Sequence, residues 1–529
     1  MSRMRTAAVA TLLLVPIVAG GFLLQEPSTR SSAHLFDQVR SLIETRYVDS
    51  LKDSQVFEKA ARGMVKELND PYSELLTPKE SDSFNRGTNG RYGGTGMLLE
   101  QQTGVGVVVG RVFPNTPAEE AGVQEGDRIT AIDGTSTQGW EIDKVSEKLR
   151  GTPGSQVSVS YSRPGVTEPI KLRFTRAVVH VPAVAYTGLF DRQVGYIPLQ
   201  AFNENAAEEV AAAVEKLEQD GAKGVVLDMR DNGGGIVDQA LAVSGLFLKE
   251  GQEIVSVRAR NAPTEVARAR GPHLATNIPL VVLVDGSSAS ATEIVAGALQ
   301  DHDRALIVGT TSFGKGLVQS VFPLDGGYFL KMTTGKWYTP SGRSIHRDRQ
   351  LLPDGRFVET HPDSLETDSA RKSRPPFKSD AGRTVYGGGG ITPDLVVADD
   401  TLSTLEQQFL RSIAAKGQIV RSALDSYAFE LKKDVKRDFV VTPQWTTELT
   451  RRLAARGVTI EPRFESAATH LFTRELEQRV ARLAFGDAAA KERERKTDRQ
   501  LSTAMDLLEK AASQHDLFTV AHAGLASRQ

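Results

Sequence analysis

Two side chains suited to acyl transfer, Ser290 and Lys315, stand 25 positions apart in short motifs. Ser290 sits in D-G-S-S-A-S-A-T-E-I (285–294) and Lys315 in T-S-F-G-K-G-L-V-Q (311–319). Each motif follows a short apolar run, 280–284 and 305–308, of the length and composition of a buried strand. The chain thus sets a hydroxyl and an amine just past the ends of core strands. Serine with a lysine base is one variant of the serine-hydrolase apparatus. At its ordinary pKa of about 10.4 a lysine is an ammonium and cannot accept a proton. Burial disfavours the charge, and Lys315, between glycines and near Phe313 and Leu317, is placed for it. The plainer reading is a surface lysine in a glycine-containing turn.

Three features favour the chemical reading. N-G-G-G (232–235) follows the strand-like run 224–228, and glycine lets backbone N–H groups approach a ligand closely, as an oxyanion hole requires. The residues after Ser290 predict a helix with Ile294, Ala298 and Leu299 on one face. Ser290 then stands at the positive end of the helix dipole. Gln319, four residues past Lys315, is placed to orient the amine.

In this order the motifs resemble the C-terminal processing peptidases, or tail-specific serine proteases, over roughly residues 34–400. The resemblance is carried by L-F-D-Q-V-R-S-L-I-E-T-R-Y-V (35–48), L-N-D-P-Y-S (68–73), G-V-V-L-D-M-R-D-N-G-G-G (224–235), S-A-S-A-T-E-I-V-A-G-A-L-Q-D (288–301), F-G-K-G-L-V-Q (313–319), Y-T-P-S-G-R-S-I (338–345) and G-I-T-P-D (390–394). It implies Ser290 as nucleophile, Lys315 as general base and Gln319 as orienting residue. Gly234 or Gly235, with the N–H of Ala291, would form the oxyanion hole. Glu293, Asp301 and Ser312 match positions that the family associates with activity; Glu293 is expected to position a loop, and Asp301 has the plainer role of closing a helix. Thr292 and Ser312 exchange one hydroxyl residue for another relative to the family pattern. Ser287 and Ser288 are chemically eligible too; the family pattern selects Ser290.

Residues 90–177 resemble a PDZ domain. Gly94, Thr95, Gly96 and Met97 match its carboxylate-binding loop, R-V-F-P-N-T-P-A-E-E-A-G-V-Q-E-G-D-R-I-T-A-I-D-G (111–134) its midsection, and residues 142–149 the helix beside its groove. Such a groove binds a free peptide C-terminus by strand addition, with a pocket for an apolar last side chain. The expected partner is therefore the C-terminus of a protein or peptide substrate.

The implied fold class is multidomain α/β: a crotonase-like α/β protease core with an inserted PDZ-like β-rich domain, an N-terminal helical segment and a helical C-terminal region. The expected division is 1–25, 34–89, 90–177, 178–400 and 401–529, with a polar insertion at 346–389. From Leu402 the pattern turns helical; Phe472, Leu476, Val480 and Leu483 share one face, and Leu501, Met505, Leu508 and Ala512 another. Between them A-K-E-R-E-R-K-T-D-R (490–499) reads as a solvated charged face. Whether these helices pack on the core, form a homo-oligomer or contact an adaptor stays open.

A net charge of −2 over 529 residues gives no electrostatic case for nucleic acid. Without cysteine the chain has no disulfide, no cysteine nucleophile and no zinc–cysteine site, and no metal or other cofactor is expected. Arg3 and Arg5 precede twenty uncharged residues, 6–25. That pattern fits a signal peptide or an uncleaved membrane anchor, and either reading exports the rest, to a bacterial periplasm or cell envelope, free or held at the inner membrane.

Four rival classes remain. Ser312-Phe-Gly-Lys315 fits the S-x-x-K of penicillin-binding enzymes, but that motif needs a helix and its companion motifs are missing. A histidine triad would need His302, expected on an exposed helix end. A non-catalytic PDZ scaffold leaves the Ser, Lys and Gly-Gly constellation unexplained. An acyl-CoA enzyme would share the core but not the PDZ-like insertion.

Overall fold

The computed structural model describes residues 28–102, 104–163, 166–191, 193–275, 277–351, 357–359 and 367–526. The expected signal or anchor, 1–25, lies outside the described residues. No described helix is long and apolar enough to cross a membrane. The chain divides into two compact units, Met1–Pro78 with Gln319–Thr333, and Lys79–Val318 with Thr334–Gln529.

In the first unit, helices Ser28–Arg46 and Asp53–Lys66 precede a short strand, Glu74–Leu76, that pairs antiparallel with residues 329–331. Between helix and strand, 68–73 forms a turn in which the Asp70 carboxylate accepts from the Tyr72 N–H and the Ser73 hydroxyl.

The second unit is organised by a six-stranded sheet. Its order is Gly188–Phe190, Val194–Pro198, Gly224–Asp228, Leu280–Val284, Leu306–Gly309, Leu395–Val396. The first pair is antiparallel and all later pairs are parallel. Parallel strands need crossovers and are buried on both faces, which is why 225–227 and 280–284 are uninterrupted apolar runs. Alternation along each strand sends side chains to opposite faces. Val225, Leu227, Val282, Val284 and Ile307 pack against helices Ala206–Gln219, Val237–Phe247 and Ala291–Asp301. Val226, Val281, Leu283 and Val308 pack against Leu501, Met505, Leu508 and Leu517 of helices Arg499–Lys510 and Gln514–Ala526. The last two described helices therefore cover the second face of the core sheet, which answers the question the sequence left open for this stretch. Ala512 departs from the expected stripe: helix Arg499–Lys510 ends before it, and it is exposed.

A separate sheet is built from Met97–Gln102, Gly106–Val112, Arg128–Ile132, Gln156–Ser162 and Ile170–Thr175 around Val109, Ile129, Val145, Val159 and Phe174. Strands Arg91–Gly94 and Ala177–His180 pair antiparallel where the chain enters and leaves it. Helices Thr404–Ile413, Gly417–Leu431, Pro443–Ala455 and Glu465–Phe485 form a bundle around Phe409, Leu424, Leu449, Phe472 and Leu476.

Candidate active site

The strand Leu280–Val284 ends in a turn organised by Asp285, whose carboxylate accepts from the N–H groups of Ser287 and Ser288. The Ser288 hydroxyl is buried and donates to the Met229 carbonyl at 2.8 Å, while Ser287 is exposed. Ser290, half-buried, immediately precedes helix Ala291–Asp301. Its backbone lies at φ 58°, ψ −113°, a region that non-glycine residues rarely occupy. Such a conformation costs on the order of 1–3 kcal/mol and persists only where its surroundings hold it. Here they do: the Ala289 N–H donates to Asn232 O, the Ser290 N–H to Glu293 Oε2 at 2.8 Å, and the Ile294 N–H to Ser290 O.

Lys315 comes from the loop after strand Leu306–Gly309. This loop is tied to the serine turn by the Phe313 N–H, which donates to Ser288 O. Gly314, at φ 87°, is pressed against Arg347 and Gly390, so a side chain there would collide. The Lys315 carbonyl accepts from the Trp337 indole at 3.0 Å.

Glu293 joins the two loops. It is fully buried, and its oxygens accept from the Ser312 hydroxyl at 2.5 Å and from the N–H groups of Gly314, Lys315 and Ser290 at 2.6, 2.8 and 2.8 Å. The Ser290 and Lys315 nitrogens share Oε2, so they lie no farther apart than twice that bond length. Burial pushes the Glu293 carboxyl above its usual range, and the bonds from Ser312 and the three amides pull the other way. Ser312 also accepts from the Ile391 N–H, and the Thr292 hydroxyl donates to Asn232 O.

The loop 229–235 lies alongside. A Cβ on Gly234 would fall 2.9 Å from the Ala291 nitrogen and 3.0 Å from Ser290 Cβ, so only glycine allows this approach. The Gly234 N–H already donates to Asn232 Oδ1. Among the described residues, no acceptor takes the N–H of Gly235 or of Ala291. The latter is one of the free donors of a helix N-terminus.

Two residues stand away from this cluster. Asp301 is at the far end of its helix, about 16 Å along the axis from Ser290 at 1.5 Å per residue. It pairs with Arg343 at 2.7 Å, both fully buried. His302 is not exposed as expected: its side chain is 9 % exposed, with Nδ1 2.7 Å from Asp380 and Nε2 on the Glu253 carbonyl. The inserted segment explains this, since Asp380 covers the helix end. Gln319 is half-buried on strand Leu317–Pro323.

Asp228 and Arg230 form an ion pair that no local motif announces. Spaced by two on an extended chain they share a face. Arg230 Nε and Nη2 donate to Asp228 at 2.9 and 2.6 Å, and the Tyr196 hydroxyl adds a third bond. Burial opposes the charge on Asp228, but Arg230 outweighs it and holds the carboxyl below its usual range.

In the second sheet, Gly94, Thr95, Gly96 and Met97 form the bend into strand Met97–Gln102, beside helix Ile142–Leu149. Gly96, at φ 95°, packs against Thr116 too closely for any side chain.

The model of peptidase family S41 matches residues 193–356, that of a PDZ domain 108–163, and that of the activating protease CtpB N-terminal domain 24–79. A carboxy-terminal-processing protease of Bartonella bacilliformis is 38 % identical over 326 residues, which cover 60 % of this chain and 74 % of that one. The chain belongs to peptidase family S41. The carboxy-terminal processing protease CtpA of Bacillus subtilis is 33 % identical to this S41 peptidase over 65 % of its length and 73 % of the relative's. Among solved structures, a photosystem II D1 C-terminal processing protease matches at 28 % identity and a TM-score of 0.37, covering 69 % of this chain and 86 % of that one. The S41 peptidase is thus a serine peptidase of the C-terminal processing kind with a PDZ domain, and peptides are its substrates.

Proposed function

We propose that this S41 peptidase cuts proteins near their C-termini with a Ser290–Lys315 dyad. The observation that carries the reading is the Glu293 carboxylate, which bonds the backbones of both residues at once. In this reading neutral Lys315 takes the Ser290 proton as Oγ attacks the peptide carbonyl. The N–H groups of Gly235 and Ala291 receive the oxyanion; Gly234 is the weaker candidate because Asn232 holds its N–H. Lys315 then protonates the leaving amine, and water hydrolyses the acyl-enzyme. The role of Gln319 in orienting the amine is read from its place four residues past Lys315. Asp301, paired with Arg343, supports the fold.

The bend 94–97 takes the substrate's terminal carboxylate, and its tail adds as a strand between Met97–Gln102 and Ile142–Leu149. The proposed arrangement is a helical segment (34–89), the PDZ domain (90–177), a crotonase-like protease core (178–400) and a helical region (401–529). Residues 1–25 direct export to the cell envelope, with or without later cleavage.

The deciding experiment is fluorophosphonate labelling with mapping of the modified residue. Label on Ser290, lost in Ser290→Ala and absent with Lys315→Arg, is the expected result, because arginine stays protonated. Substantial proteolysis by Lys315→Arg would sink the lysine-base mechanism. Equal cleavage of a free and an amidated apolar C-terminus would reject tail recognition.

A further inference from the structure

The charged run 490–499 was expected to be solvated. Lys496 and Arg499 are exposed, but the Lys491 and Asp498 side chains depart from this at 13 % and 10 % exposure. Asp498 is held by Arg230, on the loop that carries Gly234 and Gly235. Its Nη1 donates to Asp498 Oδ1 at 3.0 Å and to Gln500 Oε1 at 3.1 Å, and its Nη2 to Asp498 Oδ2 at 2.8 Å. The remaining donors of the same guanidinium hold Asp228. A planar fork is needed to span two carboxylates in this way.

Both ends of this link are anchored. On one side, Asp498 caps helix Arg499–Lys510 by accepting from the Leu501 N–H, and it also accepts from Lys491 at 3.2 Å. Gln500, 1 % exposed, donates to the Val397 carbonyl and to Asp399. On the other side, every neighbour of Arg230 in the loop is bonded to the serine turn. Met229 O accepts from the Ser288 hydroxyl, the Asp231 N–H meets the Asp285 carboxylate, and Asn232 O accepts from the Ala289 N–H and the Thr292 hydroxyl.

We infer that Asp498 and Gln500 are positioning residues for peptide cleavage. The helix that seals the second face of the core sheet also fixes Arg230, and through it the loop that faces the developing oxyanion. The inference rests on the Ser290 and Gly235/Ala291 reading above. The site is complete only when a segment more than 200 residues downstream of Ser290 has docked.

The test uses the full chain with Asp498→Asn, Asp498→Glu and Gln500→Leu. Asparagine is as good a helix cap as aspartate, so the first variant removes the ionic link while keeping the helix start. A shifted oxyanion loop acts on the transition state, so kcat and kcat/KM fall together. The expected result for Asp498→Asn is a kcat reduced about 10- to 100-fold, KM within about twofold, and Ser290 fluorophosphonate labelling slowed in parallel. Asp498→Glu restores part of the rate. If Asp498→Asn does not fold, Gln500→Leu carries the test, since it leaves the ion pair and removes one acceptor of the Arg230 guanidinium; its kcat should fall about threefold or more. Wild-type kcat in Asp498→Asn, or in Gln500→Leu where the first fails to fold, overturns the inference. A wild-type enzyme that is not labelled at Ser290 instead overturns the underlying reading, and the two failures are read from different proteins.

Discussion

Two carboxylates brace the serine turn by opposite means, Glu293 directly and the half-buried Asp498 through Arg230. Glu293 is surrounded by neutral donors, one hydroxyl and three backbone amides, and burial raises its pKa. Burial acts the same way on Asp498, but the Arg230 and Lys491 cations more than offset this and hold it at about 2. The first device joins short neighbouring loops, where backbone N–H groups converge without a side chain having to reach. The second joins segments far apart in sequence, where a long cationic side chain spans the gap. Local precision comes from dipoles and long-range attachment from charge.

The largest effect should follow from breaking the neutral device. Glu293→Ala leaves four donors without an acceptor, at about 1–3 kcal/mol each if they stay dry. Glu293→Gln is little better, because its NH₂ would face a donor. Both should lower kcat/KM by on the order of 10³-fold, the scale of a lost oxyanion donor. Steady-state cleavage of a peptide substrate measures this, and near-normal turnover in Glu293→Ala would end the comparison.

The pH dependence of stability should then separate the two by sign. For Asp498 the folded pKa of about 2 lies below the unfolded value of about 3.9. Its contribution is therefore full above about pH 4 and is lost as pH falls toward 2. The charges facing it are Arg230, Lys491, Asp228 and Asp399. Glu293 has the reverse sign. Its folded pKa is raised, so the folded state holds the proton more tightly, and ionisation removes stability as pH rises past about 4.3. Urea unfolding at a series of pH values should show Asp498→Asn losing stability relative to wild type mainly above pH 4. Glu293→Gln should lack the destabilisation that accompanies ionisation. Parallel changes in the two variants would contradict this assignment.

A smaller effect is expected at Ser312. Ser312→Ala removes one of Glu293's donors and the acceptor of the Ile391 N–H, which should cost about 1–3 kcal/mol of unfolding free energy. Ser312→Thr keeps the hydroxyl and should stay closer to wild type. The smallest change should come from Arg451→Ala, whose pair with Glu448 is screened by solvent and should leave the melt close to wild type. A thermal melt resolving a larger loss there would show that this surface pair does more than its exposure implies.

Much of this was legible in the sequence where the signal is local. The runs 224–228 and 280–284 are the observed strands, and 142–149 is the observed helix. Residue chemistry alone left Ser288 as eligible as Ser290, because the Met229 carbonyl that engages the Ser288 hydroxyl comes from another strand end. Glu293, expected to position a loop, accepts four bonds, from Ser290, Ser312, Gly314 and Lys315. The charged run 490–499 misled because its composition is that of a surface, and its partner, Arg230, is more than 250 residues away. A local clue was present in the aspartate directly before the apolar-periodic helix, a start signal that also fixes where its carboxylate points. His302 misled for a related reason: the segment that covers it was read only as a polar insertion.

The two-sided cover of the core sheet sets an order of events during synthesis. Strands Gly224–Asp228, Leu280–Val284 and Leu306–Gly309 and the helices on their first face are all made before residue 310. Helix Arg499–Lys510, which covers the other face, follows almost two hundred residues later. At about 5–20 residues per second a ribosome needs some ten to forty seconds to deliver it. Through that interval Val226, Val281, Leu283 and Val308 present a bare apolar surface, and Arg230 has Asp228 but not Asp498. A nascent chain in this state carries exposed apolar surface of the kind that invites aggregation.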